Sequence, residues 1–461
     1  MIENVLASRY SCWEINKLFD RTNRYLMERE FWILVLKMQI RNGLKVPEDA
    51  VIDYERVKSK INLDSIDKRE YVLKHDVKAR IEEFNHQAGH QYIHIGLTSR
   101  DMTENIELIQ IKTALTHIHK KSLFVLKLLG EKVSATMNVQ NVARTHNVPA
   151  QLSTIGKRYS VIANELILSI KKLEYEISNL PFRGLKGAVG TASDLSIFFT
   201  ENQIDLMDSE LANHYGFSRL MTSVGQVYPR SIDFGFISTL IQLISPLENF
   251  ALNFRLMAGL NFVSEGFNDS QVGSTAMPHK KNARTAERVD GLAVVLKGLS
   301  SMATSISGQQ WNEGDVSCSV VRRVIIPDSF FVVDGILNSI IVLLKEMQIN
   351  IKEIQNEVEL ELPQLLSSKI MMESVKNGVG RETAHTIVKN LIQNSEGNLN
   401  NFKNSVIGDK TLLINEEKWN EILESRNDLL GVCNSQCKKI INKINELVSK
   451  SDFDFEITKV K

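Results

Sequence analysis

The chain has 461 residues, 43% of them hydrophobic, enough for a large buried core and for two to four structural units. Lys+Arg and Asp+Glu each total 55 and no basic tail stands out, so a nucleic-acid partner is not expected. Four cysteines (Cys12, Cys318, Cys433, Cys437) are too few for a disulfide framework, and Cys433 and Cys437 have no nearby His or further Cys to complete a zinc site.

Taken in chain order, the N-terminus carries Glu3, Arg9, Glu14 and Lys17, which interrupt any signal-peptide apolar region. Residues 102–140 place Ile106, Ile109, Leu115, Ile118, Leu126 and Leu129 on or near one stripe at helical spacing. Residues 151–180 behave similarly, as do 231–262, where Pro246 predicts a kink. Residues 284–310 and 328–350 also read as helices, and the Asn-rich stretch 394–404 as a polar surface connection. The strand signal is weak throughout, and no apolar run reaches the ~18–20 residues of a membrane span. The expected fold is all-α with three helical domains: 1–105, a central long-helix bundle at 106–360, and 361–461. Helices this long and apolar often belong to oligomers, because one subunit cannot cover all their faces. A soluble protein of a reducing, cytoplasmic compartment, with no membrane partner, is expected.

Five polar segments lie between or at the ends of these helices: Lys74-His75-Asp76, His94 to Asp101, Arg144-Thr145-His146, the decapeptide Gly273 to Asn282, and Trp311 to Arg323. The decapeptide reads Gly-Ser-Thr-Ala-Met-Pro-His-Lys-Lys-Asn, a composition that suits a surface loop better than a packed core. Each segment has a plain structural reading. His75-Asp76 reads as a helix-end pair, Thr98-Ser99 with Asp101 as an N-cap, and Arg322-Arg323 as a solvated charge pair. His86 and His90 read as structural, and His117 and His119 point to different helix faces. No histidine pair has metal-ligand spacing, so no metal is expected.

Together the segments suit elimination next to a carboxylate. That reaction needs a positioned base, donors for the charge building on the carboxylate, and an acid for the leaving group, for which His is the natural choice. A Ser-His-Asp hydrolase would prefer a Gly-x-Ser-x-Gly elbow after a strand, which is absent from the sequence.

At these residues the chain resembles the fumarase/aspartase superfamily, whose loop reads roughly Gly-Ser-Ser-x-Met-Pro-x-Lys-x-Asn-Pro. Within it the chain looks most like the adenylosuccinate lyase family. Arg9-Tyr10, Lys74 to Val77, His94 to Asp101, Thr145-His146, Gly156-Lys157, Lys186 to Thr191 and Trp311 to Asp328 are similar to that family's motifs. The resemblance runs from about residue 9 to 385. It implies Ser274 as the base, His146 as the acid supported by Glu287, and Lys280 and Asn282 with Thr98-Ser99 on the succinyl carboxylates. It implies Arg9, Tyr10, Ser319 and Arg323 on a phosphate, and Gln226 as a further contact. Lys74, His75, Asp76, His94, Thr145, Thr275, Lys281 and Arg288 join the implied substrate-binding set. The resemblance further implies a small nucleotide substrate, a homotetramer with shared sites, and no metal or organic cofactor.

Four departures bear on the substrate. Ala283 stands for the loop's final Pro, Gly314 for an Arg, and Arg322 for a Glu. After Gln226, Pro229-Arg230-Ser231-Ile232 stands where the motif has Gln-Arg-Asp-Arg. The alternatives are a diverged lyase for another succinyl or aspartyl adduct such as argininosuccinate, a carboxymuconate cycloisomerase, or a non-catalytic scaffold of this fold.

Overall fold

The computed structural model describes residues 3–266, 277, 279–449, 451 and 453. Its N-terminal helices are α1 (Val5–Arg9), α2 (Trp13–Phe19), α3 (Arg21–Arg41), α4 (Ala50–Val57), α5 (Leu63–Leu73) and α6 (Asp76–Ala88). The middle holds α7 (Ser99–Thr136), strands β1 (Gln140–Thr145) and β2 (Val148–Thr154), then α8 (Ile155–Asn179), α9 (Ser193–Ser196), α10 (Glu201–His214) and α11 (Ser231–Gly259). After β3 (Val263–Ser264) come α12 (Arg284–Ile306), α13 (Ser317–Glu346), β4 (Gln348–Ile349), α14 (Ile351–Leu360) and α15 (Leu362–Lys376). The chain ends with α16 (Arg381–Asn394), α17 (Leu399–Gly408), α18 (Glu416–Glu424) and α19 (Cys433–Val448).

The expected all-α class holds. Five long helices close into a ring, α7 on α8, α8 on α11, α11 on α12, α12 on α13, and α13 back on α7. The apolar stripe anticipated on α7 is buried from Ile106 to Leu129. Asp101 closes the first turn of α7 by accepting the Thr98 N–H at 2.8 Å, and the Thr154 hydroxyl opens α8 by accepting the Lys157 N–H at 3.0 Å. The N-terminal helices share one apolar cluster with this ring, α3 lying on α7. Helices α15 to α18 build a second cluster around Leu366, Phe402 and Trp419. Helix α19 leaves that cluster and packs on α7 and α8.

The structure departs from the expectations in four places. Residues 140–154 form an antiparallel hairpin, β1 on β2, packed through Val142 and Leu152 on α14 and α15. Helix α13 starts at Ser317, so Pro327 lies inside it. The Asn-rich stretch is a connection only to Asn398, whose side chain caps α17, and Phe402 then buries that helix. Two helices, α12 and α13, are long and apolar enough to cross a membrane by length and composition. The apolar window of α13 is 83% buried in the ring, whereas that of α12 is 39% buried.

Candidate functional site

The implied site residues fall into three groups within one chain. The first gathers at the N-terminal end of α7. His75 caps α6, its Nδ1 accepting the Lys78 N–H at 3.3 Å. Asp76 follows and faces Arg323 of α13 at 3.7 Å and Arg80 at 3.4 Å. Burial alone would raise the Asp76 carboxyl, but Arg80, the Val77 N–H and Arg323 hold it below the usual carboxylate range. Arg100 reaches Ser319 Oγ with Nη2 at 2.8 Å, tying the second polar segment to the fifth. Lys74, exposed and left-handed at φ 54°, ends α5 with its ammonium 4.2 Å over the Tyr71 ring.

Three backbone segments meet beside this group. Gln226 N–H donates to the Glu313 carbonyl at 2.7 Å, and its own carbonyl accepts from Arg183 at 2.8 Å. The approach demands glycine: a Cβ on Gly225 would lie 2.2 Å from the Glu313 oxygen, and one on Gly190, at φ +87°, 2.0 Å from the Val224 oxygen. Asp101, fully buried, accepts from Arg183 Nη1 at 2.5 Å and from the N–H groups of Lys186 and Gly187 at 2.8 and 3.0 Å. This fixes the 183–187 loop to the start of α7.

Beneath the group runs a chain of ion pairs that the sequence reading missed. Glu104 accepts from both terminal nitrogens of Arg230, at 2.7 and 3.1 Å, and from Arg322 and Arg100, each at 3.3 Å. Arg322 also reaches Glu107 at 2.6 Å and Asp233 at 2.8 Å, and donates to the Tyr228 hydroxyl. Arg24 joins Glu107 to Glu28, and Arg80 joins Glu28 to Asp76. Burial would raise the Glu107 carboxyl, but Arg322 and Arg24 hold it well below its ordinary value. The solvated Arg322-Arg323 pair is therefore corrected: Arg322 is buried at 2% side-chain exposure and only Arg323, at 68%, faces solvent. The available signal was the triplet of acids 101, 104 and 107 at helical spacing where the apolar stripe of α7 begins, since a buried face carries charges only where they are paired.

His94 sits at φ 66° with Nδ1 accepting the Trp32 Nε1–H at 3.1 Å. Burial pushes its pKa down to about 4 against a partial rise from Asp101. The folded state thus binds this proton less readily than the unfolded chain, whose His titrates near 6.5. Stability from this group is present above pH 6.5 and is lost as pH falls towards 4. Protonation also removes the lone pair that accepts from Trp32. The expected result is a stability loss between pH 6.5 and 4 of up to about 1.4 kcal/mol per pH unit. This loss should be absent in His94→Gln, as followed by urea unfolding at a series of pH values. Equal slopes for the two proteins over that window would refute it.

The second group lies towards the other end of the ring. Tyr10 packs against Gly335, about three turns along α13 from Arg323, and the Arg288 guanidinium lies 6.0 Å from its ring centre. Burial lowers the Arg288 pKa, and Arg9 adds to the effect. Nearby, a cavity of about 590 Å³ is lined by Glu265, Lys281, Asn282, Asn350 and Glu353. Glu265 accepts the N–H groups of Thr285 and Ala286 at 3.0 and 2.9 Å, capping α12. Lys280 and Glu287 are exposed there. Ser274 and Thr275 lie outside the described residues.

The third group is the turn of the β1–β2 hairpin. Thr145 and His146 are exposed, and His146 and Asn147 both have positive φ, 52° and 62°. Arg144 pairs with Glu357 on α14, one turn beyond Glu353 of the cavity. Thr98 precedes α7 and the hairpin of His146 follows its other end, and the 38-residue helix between them is about 57 Å long. One chain therefore does not bring the first and third groups together.

Two clusters of possible metal-ligand side chains occur among the described residues. In one, Cys12, His117 and Asp334, Lys121 Nζ already contacts Asp334 Oδ1 at 2.5 Å and supplies its counter-charge. Burial, with Asp334, pushes the Cys12 thiol up to about 12, which keeps it neutral. In the other, His90 contacts Asp53 at 2.9 Å beside the exposed Asp49, and Arg56 also holds Asp53, at 2.6 Å. Both are satisfied as ion pairs.

The profile of the lyase family matches residues 48–298. An adenylosuccinate lyase of Saccharomyces cerevisiae is 30% identical over 451 residues, covering 95% of this chain and 93% of that one. An adenylosuccinate lyase of Schizosaccharomyces pombe is 29% identical over 391 residues, 83% of this chain and 81% of its own. The crystal structure of a fumarate lyase from Mesorhizobium sp. BNC1 superposes with a TM-score of 0.81 at 17% identity, covering 94% of this chain and 98% of that one, a likeness of fold. By its near-full-length similarity to the first of these relatives, the chain belongs to the adenylosuccinate lyase family of the fumarase/aspartase lyase superfamily.

Proposed function

We propose that this enzyme cleaves the C–N bond of adenylosuccinate, releasing fumarate and AMP, and likewise cleaves the succinyl-carboxamide ribotide of purine biosynthesis. The observation that carries this reading is the yeast relative's similarity over 95% of a chain that keeps the Gly273 to Asn282 loop. Ser274 takes the proton from the succinyl carbon, the electron pair forms the new C=C bond, and the C–N bond breaks. His146, supported by Glu287, returns a proton to the departing nitrogen. Lys280, Lys281, Asn282 and Thr275 of the loop, with Thr98 and Ser99, hold the carboxylates on which charge builds. Arg9, Tyr10, Arg288, Ser319 and Arg323 hold the phosphate. Lys74, His75, Asp76, His94, Thr145 and Gln226 complete the pocket.

These residues work together only if subunits share sites, and the length of α7 between Thr98 and His146 supports that arrangement. A homotetramer is the proposed assembly. Its support is the set of exposed apolar side chains on the ring: Leu168 on α8, Leu252 and Leu256 on α11, and Val294 on α12, each at least half exposed. The division at about residues 105 and 360 is kept as a proposal, with α19 resting on the central part. A cytoplasmic location is proposed from the four free cysteines.

Purified protein incubated with adenylosuccinate should lose its absorbance and produce equimolar fumarate and AMP. No turnover, together with turnover of argininosuccinate or a carboxymuconate, would overturn the substrate and keep the reaction class.

A further inference from the structure

We propose that Arg100 is a phosphate-binding, specificity-determining residue particular to this chain, acting with Ser319 and Arg323 as one anion-binding face. The inference rests on the nucleotide reading above, which gives the anion its identity as a phosphate monoester. Among the described residues, the ion-pair chain from Asp233 to Arg323 links six guanidinium groups to five carboxylates. This ion-pair chain thus carries one positive charge in excess, and its outer end at Arg323 is exposed, where an anion can reach it.

Among the cations of this ion-pair chain with mostly buried side chains, Arg100 has the weakest hold, a single carboxylate contact at 3.3 Å, whereas the weaker-held Arg323 is exposed. Glu104 already receives two hydrogen bonds from Arg230, one from Arg322 and the Tyr228 N–H at 3.0 Å. Arg100 meets the same carboxylate at 3.3 Å through Nη1, while Nη2 turns to Ser319 Oγ at 2.8 Å. Its side chain is 13% exposed, so the guanidinium is held in place without being sealed off.

Ser319 extends that charge outward. Having accepted from Arg100, its hydroxyl still has a proton to donate. Ser319 and Arg323 are four residues apart on α13 and share one helix face, where Arg323 is 68% exposed. Arg100 from α7 thus meets Ser319 of α13, and Arg323 stands on the same face of α13 beside Asp76, a donor set suited to a phosphate dianion. The sequence agrees. In the motif that residues 94–101 resemble, threonine stands at the position of Arg100, and in the motif around Trp311 to Asp328 an arginine stands where this chain has Gly314. This chain lacks the cation at one place and has one at the other.

The test is calorimetric binding of AMP and of adenosine to the full-length protein and to Arg100→Ala and Arg100→Lys. Arg100→Ala should weaken AMP binding by about ten- to a hundredfold, the range for a hydrogen bond to a charged group. Adenosine affinity should change less than about twofold, and Arg100→Lys should recover part of the AMP affinity by restoring the charge. With adenylosuccinate, the loss should appear in KM more than in kcat. Equal losses for AMP and adenosine would mean a structural role and overturn the proposal, as would undiminished AMP binding. Wild-type protein that cleaves adenylosuccinate while Arg100→Ala loses AMP and adenosine alike sinks the phosphate role and leaves the reaction. Wild-type protein that prefers AMP through Arg100 but cleaves no adenylosuccinate sinks the reaction and leaves the anion face.

Discussion

Two nearly inactive variants, His146→Ala and the double variant Ser319→Ala, Arg323→Ala, are expected to regain activity when their subunits mix in hybrid assemblies. His146→Ala removes the proposed acid, and losing general acid catalysis costs about a hundred- to ten-thousandfold in kcat. The double variant removes two phosphate donors, each worth about 1.5–3 kcal/mol, so kcat/KM falls by about a hundredfold or more. One lesion lies beside the first turns of α7 and the other beyond its far end. A site that uses both groups must draw them from different subunits. In a random mixture roughly a quarter of the sites then combine an intact hairpin with an intact anion face. Differently tagged copies, co-expressed and purified through both tags, provide the hybrids, and light scattering checks that each parent still assembles. Hybrid activity no greater than the mean of the two parents would show that one subunit supplies both groups, or that these residues do not act in the site.

The second large effect is on stability. Glu104→Ala should cost about 3–5 kcal/mol, because it leaves Arg230, Arg322 and Arg100 around an empty buried position. The carboxylate is fully buried and accepts five hydrogen bonds from four residues. By contrast, Arg323→Ala should cost under about 1 kcal/mol, since its partner distance is 3.7 Å and the side chain is mostly exposed. Urea midpoints at fixed protein concentration read both. Similar midpoints for wild type and Glu104→Ala would mean that the ion-pair chain contributes little to folding.

The long helices were legible because their apolar residues recur at helical spacing and few prolines interrupt them. The stripe on α7 from Ile106 to Leu129 is the clearest case. The hairpin was hidden because it is short and its turn, His146-Asn147, reaches positive φ without glycine, so the usual turn signal is missing. The start of α13 was hidden by Pro327 and by the polar run from Trp311, which reads as a loop although the Asp315 carboxylate accepts the Ser317 N–H at 2.7 Å where the helix begins. The candidate residues themselves were legible from their polarity and from motif resemblance. Their grouping was not, since Arg100 meets Ser319 across 219 positions of chain. The identity of Arg322 as a buried cation depended on acids on a distant helix, and single-sequence spacing carries no such pairing.

Glu265 has a consequence for how this protein can be altered. Its carboxylate holds the N–H groups of Thr285 and Ala286, so the points where the intervening segment leaves and rejoins the ring are fastened to each other by hydrogen bonds. Closing that gap is therefore a property of the stem. Loop-closure entropy grows only slowly with length, so the fastened ends should tolerate inserts of different length and composition. The segment from 267 to 282 is in that sense an exchangeable cassette. A loop from another superfamily member, joined at Gly266 and Ala283, should change reactivity while the thermal unfolding of the ring stays where it was.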